Sequence, residues 1–250
     1  MKLQLALDET SLTRALELAG EVADYVDLIE IGTPLIMAQG MAAVRAMRQR
    51  FPAKPVLADL KIIDGGYDEA ALAFEAGARY VTACALADQT TLRQSLRAAQ
   101  DHSGVVVADL LSVPDLPRAV ASLESLGLTA LAVHTGVDQQ ASGHGPLEDL
   151  HLVKAGVRSA SVAVAGGISA ASIGPYLEAD PDVVIVGAAI TRSADPATEA
   201  KAIRAALDAV AAFAAGSAGG TANGQADHST QRTSPAAGQP NVRLRPGTSQ

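Results

Sequence analysis

The chain has 250 residues, 48% hydrophobic and 18% charged, which suits one large core in a single α/β domain. Its formal net charge of -8 repels a phosphate backbone and argues against nucleic acid as a partner. One cysteine, Cys84, excludes an internal disulfide, and no apolar run reaches the roughly 20 residues needed to span a bilayer or resembles a secretion signal, so a cytoplasmic protein is expected.

In chain order, short apolar runs alternate with Ala- and Leu-rich stretches of helical period. Strand 3–7 precedes a helix over 12–23, strand 28–31 a helix over 37–50, and strand 56–60 a helix over 67–76. Strand 80–83 leads to helix 89–101, strand 105–108 to helix 116–125, and strand 130–133 to helix 147–155. Strands 162–165 and 183–186 lead to helices 170–177 and 196–215. Such alternation predicts a closed (β/α)8 TIM barrel over 1–215. From 216 to 250 the chain is rich in Gly, Ser, Thr, Gln and Pro with few large apolar side chains, the composition of a disordered, dispensable tail.

Side chains alternate across a strand, so each strand has a last inward position at the mouth where this fold builds its sites. With Leu3, Leu5 and Leu7 facing the helices, Gln4, Ala6 and Asp8 face inward. The same parity places Glu30, Asp59, Asp109 and His134 at the mouth, with Lys61 two residues beyond Asp59 on the same side. A single acidic residue at a strand end also reads as a helix cap. Several carboxylates converging on one lysine read as a catalytic cluster.

Asp64 lies beyond the third strand, just before Gly65 and Gly66, where it can join Asp59 in flanking the Lys61 ammonium. Glu30 and Asp59 on neighbouring strands can hold a hard divalent cation, for which Mg2+ is the expected choice. Glycine turns after the last two strands, at Gly166-Gly167 and Gly187-Ala188, expose backbone N–H groups and are the expected phosphate cradle.

Asp59-Leu60-Lys61-Ile62-Ile63-Asp64 resembles the D-x-K-x-x-D motif of the orotidine-5′-phosphate decarboxylase suprafamily. Within it, the segments 57–67 and 134–140 look like the 3-hexulose-6-phosphate synthases, a likeness that excludes the tail. The sister 3-keto-L-gulonate-6-phosphate decarboxylases tend to carry arginine where this chain has Val137, Glu at Asp109, Thr at Ala165 and arginine at Ala188.

The resemblance implies condensation of formaldehyde with D-ribulose 5-phosphate through a Mg2+-stabilised enediolate, with Lys61 beside the developing oxyanion. His134 is the expected proton carrier, with Asp64 as an alternative base or a tuner of Lys61. Asp8 is expected to position Lys61 or a sugar hydroxyl, and Asp109 to contact substrate or order water. In relatives the residue matching Asp64 reaches the partner's site, which implies a homodimer with shared active sites. The decarboxylase and a barrel that only binds a sugar phosphate stay open as alternatives. Cys84 reads as packing, and His102, His144, His151 and His228 lack metal-ligand spacing.

Overall fold

A computed structural model describes residues 1–218, with side chains through Phe213. Strands β1 (Lys2–Leu7), β2 (Leu28–Ile31), β3 (Val56–Ile62) and β4 (Tyr80–Cys84) are followed in order by β5 (Val105–Asp109), β6 (Ala130–His134), β7 (Ser161–Ala165) and β8 (Val183–Val186). All neighbouring pairs are parallel, and β1 pairs with both β2 and β8, so the sheet closes. Between strands run α1 (Leu12–Val22), α2 (Thr33–Gln39), α3 (Met41–Arg50), α4 (Gly66–Glu75), α5 (Gln89–Asp101) and α6 (Leu116–Ser125). The second half adds α7 (Val137–Ala141), α8 (Leu147–Gly156), α9 (Gly174–Glu178), α10 (Ala188–Thr191) and α11 (Pro196–Ala218).

Strand alternation creates two cores. Outward Leu3, Leu5, Leu7, Ile29 and Ile31 are fully buried against the helix ring. Inward Leu57, Val107, Ala130, Ala132 and Ala163 form a smaller cluster along the axis. Because the leucines and isoleucines lose contact with water only on the outer face, a slip of one residue would expose them, and this fixes which side chains reach the mouth. Helix starts are set locally: the side chains of Ser11, Asp88 and Asp115 accept from the backbone N–H groups of Arg14, Thr90 and Arg118.

Three expectations change. The helix over 37–50 is two helices, because Gly40 takes φ +59 and breaks the ladder between α2 and α3. The helix over 170–177 shrinks to α9, which begins only at Gly174 with Pro175 in its first turn. Short α7 and α10 form directly after β6 and β8, where no helix was expected. Helix α11 runs to Ala218, and the tail from residue 219 lies outside the described residues. Among the described residues no helix is long and apolar enough to cross a membrane.

Helices α4 and α5 pack closely through Gly66, where a Cβ would stand 2.2 Å from the Thr91 carbonyl oxygen and 2.8 Å from Ser95 Oγ. Backbone cannot yield cheaply, so Gly66→Ala is expected to destabilise the fold by about 1–3 kcal/mol in chemical denaturation. An unchanged midpoint would mean that α4 is free to move away from α5.

Candidate active site

A cavity of about 1100 Å³ runs along the barrel axis, lined from Lys2, Tyr80 and Ser161 at the strand starts to Lys61, Asp109 and His134 at the strand ends. Glu30, Asp59 and Asp109 reach it buried, at 8%, 5% and 3% exposure. Lys61 and His134 reach it half-buried, and Asp8, just past β1, lines its rim in contact with solvent.

Lys61 is the centre of the cluster. Its Nζ lies 2.5 Å from Asp59 Oδ2 and 3.2 Å from Asp109 Oδ2. Asp59 is held further by Thr33 Oγ1, which donates to Oδ2 at 2.7 Å, and by Thr82 Oγ1, which donates to Oδ1 at 2.7 Å. Asp109 accepts from the Leu111 N–H at 2.9 Å and meets His134 Nδ1 at 3.0 Å. With Nδ1 so engaged, the other ring nitrogen of His134 is left for the cavity. Gln4 Nε2 donates to Glu30 Oε2 at 2.6 Å.

The charges interact as this crowding demands. Burial pushes the Glu30 carboxyl up, and the neighbouring Asp59 pushes it further, to about 8, against the hydrogen bond from Gln4. Burial also raises Asp8, with Asp59 adding to it, while Lys61, His134 and Arg192 oppose the shift. Burial works against charge on Asp109 too, yet the hydrogen bond and charge of His134, with Lys61 and the Leu111 N–H, hold it below the usual carboxylate range. For Lys61, burial opposes the ammonium, but Asp59 and Asp109 outweigh it and raise its pKa. Lys61 is therefore an electrostatic group and not a free amine base.

Across the mouth lies a glycine floor. Gly166 has φ +131, and a Cβ there would stand 2.8 Å from the Thr135 carbonyl oxygen. Gly167 has φ +66, with Gln140 Oε1 3.2 Å from where its Cβ would be. Gln140 Nε2 donates to the Thr135 carbonyl at 2.7 Å, which ties the floor to the end of β6. Gly187, Ala188 and Arg192 line the same cavity.

Ten of the eleven expected residues thus surround one space: Asp8, Glu30, Asp59, Lys61, Asp109, His134, Gly166, Gly167, Gly187 and Ala188. Asp64 does not: it is exposed outside the cavity, and its Oδ1 accepts from the Gly65 N–H. The second carboxylate on the Lys61 ammonium is Asp109, brought there because β5, two strands along the closed barrel, ends on it. Thr33, Thr82 and Arg192 join the site unannounced. Thr82 had one signal, its inward parity on β4. Glu30 and Asp59 offer a pair of carboxylate donors, and among the described residues no group of three or more His, Cys, Asp or Glu side chains is arranged to hold a metal.

Residues 1–203 match the profile of the Orotidine 5'-phosphate decarboxylase / HUMPS family. The 3-hexulose-6-phosphate synthase of Mycobacterium gastri is 43% identical over 209 residues, which span 83% of this chain and 100% of that protein. The crystal structure of 3-hexulose-6-phosphate synthase from Salmonella typhimurium is 48% identical with a TM-score of 0.83, over 84% of this chain and 100% of that one. The structure of 3-keto-L-gulonate-6-phosphate decarboxylase from Vibrio cholerae is 31% identical with a TM-score of 0.72, over 84% and 98%.

The Glu30 shift has a consequence for stability. Between its ordinary value of 4.5 and about 8, the unfolded chain releases a proton that the folded chain retains, so folding loses stability as pH rises through this window. In chelator-treated protein, Glu30→Gln is expected to be more stable than the parent by a few kcal/mol, on the order of the cited shift, at pH 8 and by much less at pH 5. Thermal melts at both pH values measure it; a gap of equal size at pH 5 and 8 would rule out ionisation as its source.

Proposed function

The chain belongs to the Orotidine 5'-phosphate decarboxylase / HUMPS family, and from that premise we propose that it condenses formaldehyde with D-ribulose 5-phosphate to give D-arabino-3-hexulose 6-phosphate. The observation that carries this reading is the Lys61 ammonium fixed between Asp59 and Asp109, with His134 on the far side of Asp109. Two relatives named 3-hexulose-6-phosphate synthase, 43% and 48% identical in sequence over most of the chain, the second of known structure with a TM-score of 0.83, support it.

Chemically, a proton leaves carbon 1 of the ketose, and its electron pair becomes the enediolate. That carbon attacks formaldehyde, a carbon–carbon bond forms, and the former aldehyde oxygen takes a proton. Lys61 presents its positive charge to the oxyanion that grows during deprotonation, and a fixed charge in a sheltered site needs little reorganisation to do so. His134, oriented through Nδ1 by Asp109, carries the proton with its other nitrogen. Asp8 at the rim is placed to meet a sugar hydroxyl or Lys61. The glycine floor of Gly166 and Gly167, with Gly187, Ala188 and Arg192, receives the phosphate.

The donor chemistry of Glu30 and Asp59 suits Mg2+, which keeps most of its ligands as water or substrate oxygen and takes one or two carboxylates from protein. Burial, and after it the Asp59 charge, raise the Glu30 pKa, and a cation between the two carboxylates would offset both. When bound, Mg2+ supplies Lewis-acid polarisation of the ketose oxygens.

A homodimer with shared sites completes the reading. Asp64 lies outside its own chain's cavity, and large apolar side chains are exposed beside it in sequence and on the next elements: Ile63 at 57%, Leu72 at 56% and Leu86 at 54%. Covering them with a second copy would remove that surface from water and can bring Asp64 to the partner's mouth.

Three measurements test these points. Formaldehyde consumption with ribulose 5-phosphate and Mg2+ is expected to be abolished by chelator and lowered at least about 1000-fold by Lys61→Ala, with the fold retained. Carbon dioxide release from 3-keto-L-gulonate 6-phosphate without formaldehyde consumption would move the assignment to the sister decarboxylase. Mixing inactive Lys61→Ala with inactive Asp64→Ala under subunit exchange is expected to restore up to about a quarter of parental activity, because one site of each hybrid is intact. No recovery despite exchange would refute shared sites.

A further inference from the structure

Strand β3 does not run in step with β4. Ala58 faces Val81 and Ile62 faces Ala83, so Asp59, Leu60 and Lys61 together stand opposite one residue, Thr82. Such an excess must be absorbed by a bulge, and bulges re-aim side chains. Here the distortion falls on Lys61 itself, whose φ of +48 lies in the left-handed region without being glycine. A side chain in that region is strained and persists only where its surroundings hold it.

One hydroxyl does most of the holding. The Lys61 N–H donates to Thr82 Oγ1 at 2.9 Å, and the same oxygen donates its proton to Asp59 Oδ1 at 2.7 Å. A hydroxyl has one proton and two lone pairs, so accepting from the amide leaves its proton for the carboxylate, and both directions are fixed. Thr82 is buried, at 6% exposure, so no bulk water can replace it in either bond. Cys84 adds a weaker restraint, with Sγ donating to the Lys61 carbonyl at 3.3 Å. Thr82 therefore ties together the two ends of the same ion pair: the backbone that carries the ammonium and the carboxylate that the ammonium meets.

We propose that Thr82 is the positioning residue of the catalytic lysine: its hydroxyl locks the strained Lys61 backbone to the Asp59 carboxylate and so sets where the ammonium stands at the reacting carbon. The Thr82 hydroxyl is engaged by the Lys61 N–H and Asp59 Oδ1, so it acts through those two residues. Its loss frees the bulge to relax, and Lys61 moves while the glycine floor proposed for phosphate, in the turns after β7 and β8, does not. The effect belongs in turnover and not in ketose binding.

The kinetic arm of the test rests on the proposed condensation reaction; a labelling arm does not. Thr82→Val keeps the shape and removes both hydrogen bonds, whereas Thr82→Ser keeps the hydroxyl. For Thr82→Val, kcat for formaldehyde consumption is expected to fall about 10- to 100-fold, with the KM for ribulose 5-phosphate within about twofold of the parent. Modification of Lys61 by an amine-directed reagent, followed by peptide mass, is expected to speed up about threefold or more as the ammonium leaves Asp59. Thr82→Ser is expected to restore both readouts. Parental kcat in Thr82→Val, or equal damage in Thr82→Ser, would overturn the proposal. If the parent does not consume formaldehyde, the condensation reading fails alone, and the labelling rates still decide: equal rates in parent and Thr82→Val refute the positioning role. Should Thr82→Val not fold, Thr82→Cys, with a weak donor and acceptor, replaces it with the same expectations.

Discussion

Three buried carboxylates and one ammonium occupy the inner mouth of this barrel, and much of the site follows from that imbalance. Glu30, Asp59 and Asp109 are each withdrawn from water, and Lys61 reaches only Asp59 and Asp109. An uncompensated buried carboxylate takes a proton or a cation. Asp109 escapes this through His134, Lys61 and the Leu111 N–H, and stays ionised below its usual range. Asp59 has Lys61 and two threonine hydroxyls. Glu30 has one amide donor, from Gln4, and its pKa rises to about 8. Positive charge is therefore scarcest at Glu30, on β2 across the barrel from His134 on β6, where Lys61 offsets burial and the Asp59 charge only in part, and this is the place the proposed Mg2+ would serve.

Holding such a cluster requires rigid walls, and the outer core provides them. Leu3, Leu5, Leu7, Ile29 and Ile31 have no contact with water, so β1 and β2 cannot rotate or slip without exposing them. The axis is built differently. Ala130, Ala132 and Ala163 leave room inside where bulkier side chains fill most barrels of this type, and the cavity extends down from the mouth. Stability and site space thus come from opposite faces of the same strands.

This division explains what could be read from the sequence. Period-two alternation with leucine on one face was enough to place Glu30, Asp59, Lys61, Asp109 and His134 on the other, because burial of the outer face leaves one register. The Gly40 break was not legible, since a lone glycine inside a helical pattern is often tolerated and only its φ decides. Helices α7 and α10 span five and four residues, too few to show a period. Thr33 carried no signal and Thr82 only its inward parity, for another reason: a neutral hydroxyl has no preferred partner in sequence, and what Thr82 bonds depends on a bulge in the strand next door. The second partner of Lys61 was misread for the same cause, because Asp64 is near in sequence and Asp109 is near only once the barrel closes.

Charge at the rim also bears on whether the enediolate arises from a neutral ketose carbon or from loss of a carboxylate. A keto-acid sugar phosphate would bring a carboxylate to a mouth already lined by Asp8, Glu30, Asp59, Asp109 and Asp138. Lys61 is committed to two carboxylates, and Arg192 already acts on the Asp8 carboxylate. Val137 at the start of α7 lines the same cavity and is 75% exposed and apolar, so it adds no cation there. Leaving an added anion unpaired among like charges is disfavoured in any site partly screened from water. Formaldehyde adds no charge, so the same mouth admits it without a new cation. The apolar residue at 137 is thus consistent with the uncharged co-substrate for a physical reason independent of sequence identity.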